Sequence, residues 1–256
     1  MGTAQQPRPA PTGDPLTDDA LHGLTDPDRD VRQAAALALG GSGDPRAAAE
    51  LVVRMLGEPD FFVRETLTWA VARVADAATP LLLRALDGTG GDTRVRVLHA
   101  LSKIADPATT DAVLPLAADD DPAVAAKARW TLTRIGDPRA VPAVAAHLGT
   151  DVDRNGVTAD LASFGRAAVP ALVTALAADD PRVRRHAAEV LAFIGAPGAQ
   201  DAAEALGAAV GDGDDQVRLS AAMALLDLRT PAAHAVLAGS ADPRVRAIAA
   251  RAAPPA

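Results

Sequence analysis

One short string returns along this chain every thirty-odd residues: an acid, often a proline, then Val-Arg, then alanine and leucine at helical spacing. It reads "DPDRDVRQAAALALGGSGDPRA" at 26–47, "EPDFFVRETLTWAVARVAD" at 58–76 and "DDDPAVAAKARWTLTRIGDPRA" at 119–140. It returns as "DDPRVRRHAAEVLAFIGAPGA" at 179–199, "DGDDQVRLSAAMALLDL" at 212–228 and "ADPRVRAIAARAA" at 241–253. Looser copies lie at 91–106 and 151–165. A period of that length confines the chain to a stacked array of one structural unit.

Each unit reads as two helices. A first helix of about ten residues comes from apolar stretches such as "AAAELVVRML" and "AVPALVTAL". The second opens at Asp-Pro, where the acid caps free amides and proline suits the first turn. In "VRRHAAEVLAFIG", Val183, Ala187, Val190, Leu191 and Ile194 share one face, which is the inward stripe of an amphipathic helix. A lone helix pair cannot cover that stripe, so neighbouring units must stack.

The pattern resembles HEAT repeats, and more closely the short bacterial HEAT-like repeats first named in phycobilin lyases. The resemblance covers roughly 16–253, about eight units. It implies an all-α, right-handed α-solenoid preceded by a disordered leader at 1–15. It also implies that the second helices line the concave side. Proteins of this pattern include scaffolds, pigment-attachment proteins, a DNA glycosylase branch and a di-iron hydroxylase branch, and fold does not choose among them.

Composition narrows the classes. Hydrophobic residues make up 49% of the 256, yet aromatics only 2%. Alanine supplies much of that count and favours helix. There is no cysteine, hence no disulfide scaffold and no thiolate metal site. No apolar run approaches the ~20 residues of a membrane span, and "MGTAQQPRPAPTGDP" lacks an apolar signal-peptide core. The expected compartment is the cytoplasm. A formal net charge of −8 argues against a nucleic-acid footprint.

Arg32, Arg64, Arg184, Arg218 and Arg246 follow the repeated valine. An acid precedes each, so the reading is a structural ladder in which arginine forks onto acids and carbonyls next door, rather than a phosphate stripe. Ala125 breaks the ladder, and Arg154 is expected to restore it in the fifth unit. There Asn155-Gly156 falls inside the expected helix; a bend, a ligand contact and drift remain open.

Six residues after the valine or its equivalent stand Leu37, Trp69, His99, Trp130, Ala159, Glu189, Met223 and Arg251. At 100° per residue this place lies far from the core stripe. One turn on, three successive units add a base, giving Trp69-Arg73, His99-Lys103 and Trp130-Arg134. Exposed indole beside a cation suits partner contact. The competing reading lays each indole on its neighbour as packing. The shared register favours contact.

Chemistry is poorly provided for. None of His22, His99, His147, His186 and His234 lies in an HExxH or His-Glu pair, so the di-iron branch does not carry over, and no cofactor or metal is implied. His186 and Glu189, at i,i+3, read as surface decoration. "DGTGGDTR" (87–94) reads as an interhelix loop. Asp160 is the acid that a glycosylase-like reading would use, but it lies one place past the groove register. The expectation is a non-enzymatic scaffold holding a protein, a peptide or a small anionic ligand in its groove. The alternative is an enzyme or small-molecule handler, with His99 as acid or base; the sequence shows no orienting partner for it.

Overall fold

The computed structural model describes residues 15–87, 90–151 and 153–251. Among them are sixteen α-helices and no strand. The chain is an all-α solenoid of eight helix pairs, and it divides into two compact units, Met1–Ile104 and Ala105–Ala256. The expected leader lies outside the described residues except for Pro15, which opens the first helix.

In the first unit the pairs are α1 (Pro15–Gly23) with α2 (Arg29–Ser42), α3 (Ala48–Gly57) with α4 (Phe61–Arg73), and α5 (Ala75–Leu86) with α6 (Gly91–Ile104). The second unit begins with α7 (Thr110–Val113) and α8 (Pro122–Ile135), then α9 (Val141–Ala145) and α10 (Arg154–Ser163). It continues with α11 (Val169–Ala175) and α12 (Pro181–Ile194), α13 (Ala203–Ala209) and α14 (Asp215–Asp227), and α15 (Pro231–Ala238) and α16 (Pro243–Arg251). α6 starts inside the stretch read as a loop: Gly91 to Arg94 are already helical.

Aspartates start the second helices. Asp28, Asp60, Asp121, Asp180 and Asp214 each accept from a backbone N–H two residues on, a cap worth about 1 kcal/mol. Asp44, Asp106 and Asp137, each before a proline, cap the short 3-10 turns that lead into α3, α7 and α9. Second helices stack on second helices: α2 on α4 and α4 on α6, then α8 through α16 in turn. Leucines fill the layer between, with Leu51, Leu67, Leu98 and Leu101 buried in the first unit and Leu132, Leu161, Leu172 and Leu191 in the second. Alanines such as Ala70, Ala100, Ala187 and Ala221 are fully buried and let the helices come close.

The arginines after the repeated valine tie loops to helices. Arg32 forks onto both oxygens of Glu58 at 2.9 Å and onto the Asp26 carbonyl at 2.9 Å. Arg184 does the same with Asp212, at 2.7 and 2.9 Å, and the Ala178 carbonyl. Arg218 reaches Asp242 and the Asp212 carbonyl. Among the described residues Arg64 and Arg246 hydrogen-bond only loop carbonyls. Arg154 departs from the expected ladder: its partner is Glu189 on α12. Asp153, left-handed at φ 56°, makes no side-chain cap for α10, and so forms no capped loop for Arg154 to grip.

Glu58 keeps only 5% of its side-chain surface, so removing its arginine strands a nearly buried carboxylate. Arg32→Ala is expected to cost about 2 kcal/mol in urea unfolding. Arg182→Ala, which removes an exposed pair with Asp180, is expected to change stability less.

Candidate functional site

The place six residues after the valine lies on the outer face of each second helix. Leu37 is 52% exposed, Trp69 44% and Met223 48%. On α4, Phe62, Trp69 and Arg73 are all exposed and lie within about 40° of one another around the axis. Trp69 combines both readings of a surface tryptophan. Part of its indole packs on Gly40 of α2, where a Cβ would stand 2.3 Å from Cζ3 of Trp69. Glycine in the last turn of α2 thus makes room for the ring, and the rest of the ring faces out.

His99 on α6 meets Glu65 of α4, Nε2 to a carboxylate oxygen at 3.1 Å. The sequence showed no orienting partner for this histidine; the preceding repeat supplies one. Lys103 and Arg73, one turn beyond His99 and Trp69, are exposed. In the second unit Trp130 is half-buried and Lys127 lies over its ring, 4.2 Å from the centroid. The cation on that indole is therefore the residue three places earlier. Arg134, the base expected from the register, is exposed one turn later.

Three polar side chains in the second unit are buried, and one of them departs from the sequence reading. His186 is not surface decoration: it is fully buried. Its Nδ1 accepts from the Gly149 N–H at 3.1 Å, and its Nε2 lies 2.8 Å from Thr158 Oγ1, which itself donates to the Arg154 carbonyl. That network suits a neutral ring with the proton on Nε2. Burial, reinforced by Arg154, pulls its pKa down to about 4. Arg129 is buried beside Trp130 and donates to Asp153 at 3.0 Å. Gly156 is the space this carboxylate needs, since a Cβ there would meet Asp153 Oδ1 at 2.3 Å. Asp160 is buried too. Burial pushes its pKa up to about 6 against the opposing Thr133 hydroxyl and Arg129 guanidinium.

A signal for the last two was present. The place of Arg129 holds Ala36, Thr68, Leu98, Ala188 and Ala222 in other repeats, and that of Asp160 holds Ala70, Ala100, Val190 and Ala224. A charge where an array otherwise places small or apolar residues marks a buried polar cluster. Among the described residues no group of three His, Asp or Glu could hold a metal, and no helix is long and apolar enough to cross a membrane.

The family profile for HEAT repeats matches residues 17–94, 79–160, 154–226 and 169–253. No curated protein matches in sequence. Among solved structures, Kap95p in a study of RanGDP switch loops is similar with a TM-score of 0.57 at 14% identity, over 91% of this chain and 38% of that one. The karyopherin Kap121p bound to the extreme C-terminus of the protein phosphatase Cdc14p gives 0.55 at 15%, over 92% and 33%. Human deoxyhypusine hydroxylase in complex with glycerol gives 0.41 at 22%, over 92% and 93%. The chain spans about a third of either karyopherin, and those two likenesses concern the fold.

Two outcomes are expected. Gly40→Ala gains about 1 kcal/mol of helix propensity but overpacks by about 1–3 kcal/mol. It should lower stability and, in a Trp130→Phe background, red-shift the remaining tryptophan emission. The buried histidine and aspartate act oppositely on pH dependence. His186, depressed when folded, loses stability as pH falls from 6.5 toward about 4; Asp160, raised when folded, loses it as pH rises from 3.8 toward about 6. Relative to wild type, the stability of His186→Gln should therefore fall with rising pH across that window, and that of Asp160→Asn should rise, both read by urea unfolding at stepped pH.

Proposed function

The chain belongs to the HEAT-repeat family, and on that premise we propose that it is a non-enzymatic scaffold whose first unit holds a protein partner. The contact face is the outer side of α4 and α6, with Trp69 at its centre and Arg73, His99 and Lys103 around it. On the second unit, Trp130 and Arg134 offer a further contact. The observation that carries the reading is Trp69 itself. An indole with 44% of its surface in water, seated against a glycine and followed by a cation, is a preformed anchor of the kind that dominates binding.

A macromolecule suits this face better than a small anion. Phe62 to Arg73 runs about 16 Å along one helix, longer than a small ligand covers. The karyopherins, in complexes with protein partners, lend analogy to a protein ligand. The short units also resemble those first named in phycobilin lyases, which bears on repeat geometry and not on pigment. Cytoplasmic location is part of this proposal. The Glu65–His99 pair favours a second reading, an enzyme with His99 as acid or base. Activity lost in His99→Ala with binding kept would favour it.

Trp69→Ala is expected to weaken the natural partner by about 2 kcal/mol, roughly thirtyfold. Affinity would be measured by calorimetry after the partner is recovered by co-purification, with Val53→Ala on α3 as control. Unchanged affinity in Trp69→Ala combined with Trp130→Ala would contradict the scaffold reading.

A further inference from the structure

The contact face has an order across its helices. α2 and α4 run the same way, because Arg29 pairs with Asp60 and Gln33 Nε2 donates to Thr66 Oγ1 at 3.2 Å. α4 and α6 do so too: Arg96 reaches the Glu58 carbonyl just before α4, and His99 meets Glu65 further along it. Gly40 lies against Ala70, whose Cα a Cβ there would meet at 3.0 Å, so Leu37 stands level with Leu67, about 3 Å along the axis from Trp69, and adding one turn to the His99–Glu65 contact brings Lys103 level with Trp69. A slightly oblique row therefore crosses three helices: Leu37, then Trp69, then Lys103. Each step is about 10 Å. Arg73 stands one turn above the tryptophan.

Charge on this face is uneven. Glu65 is held by His99, and Asp60 by two backbone amides and Arg29. Arg73 and Lys103 have no ion pair or hydrogen bond from their side chains among the described residues, and both are exposed. The equivalent face of the second unit differs, for Glu189 there is bound by both Arg154 and Arg185. One end of the first unit's row thus offers apolar surface and the other offers positive charge without a counter-ion.

Resting on the scaffold reading, we propose that the partner is an acidic peptide segment with apolar anchors, laid across α2, α4 and α6. Its apolar side chains cover Leu37 and Trp69, and its carboxylates meet Lys103 and Arg73. The row spans about 20 Å, which about six extended residues cover. The chain's formal net charge of −8 opposes an acidic segment at long range. Local cations then select it at contact, where screening is least effective.

The test is a random peptide display library panned on the folded protein, with binders to Trp69→Ala removed. Trp69-dependent peptides should be rich in Asp or Glu together with Leu, Phe or Trp. A synthetic copy of the best should lose about tenfold or more in affinity on Arg73→Glu combined with Lys103→Glu, two surface changes whose folding circular dichroism checks. Trp69-dependent peptides that are basic or uncharged, or that ignore the charge reversal, would overturn this inference and leave the scaffold reading standing. A selection yielding no Trp69-dependent peptide would overturn both.

Discussion

Close approach between successive second helices is the constraint on which the rest depends. Each unit buries its leucine stripe only against the next unit, and the helices approach because alanine or glycine stands where their backbones meet. Ala70, Ala100, Ala187 and Ala221 are fully buried. The same closeness sets the terms for any larger side chain. Trp69 is accommodated because Gly40 yields a gap for one edge of its ring. Asp153 reaches Arg129 because Gly156 yields another.

The arginine ladder follows from the same geometry. Stacked pairs bring the loop before one second helix next to the start of the previous one. An arginine placed after the valine can then hold its own loop carbonyls and the next repeat's acid together, as Arg32, Arg184 and Arg218 do. Those guanidiniums are occupied internally. Among the described residues Arg73 and Lys103, about half a turn around the helix from that place, are not, and that difference separates structural cations from the ones proposed to meet a partner.

Much of this was legible in the sequence. The acid–proline–valine–arginine string gave the eight pairs and the aspartate caps, because capping and helical periodicity are local effects. The outward aim of Leu37, Trp69 and Met223 followed from counting turns. What lay hidden depends on contacts between repeats. His186 looks like a polar surface residue beside Glu189, and only its neighbours Gly149 and Thr158 bury and satisfy it. Glu65 becomes a partner of His99 only when α4 and α6 stack. Arg154 satisfied the spacing of the ladder but lost its place when Asp153 turned left-handed.

The outer row of α2, α4 and α6 is where the partner is proposed to sit. Site-specific photocrosslinking tests it most directly, with a photoreactive side chain placed singly at Leu37, at Lys103 and at Val53, which is 61% exposed on α3. One discrete adduct, to the same partner, is expected from positions 37 and 103 and none from 53. An adduct from position 53 alone would contradict it.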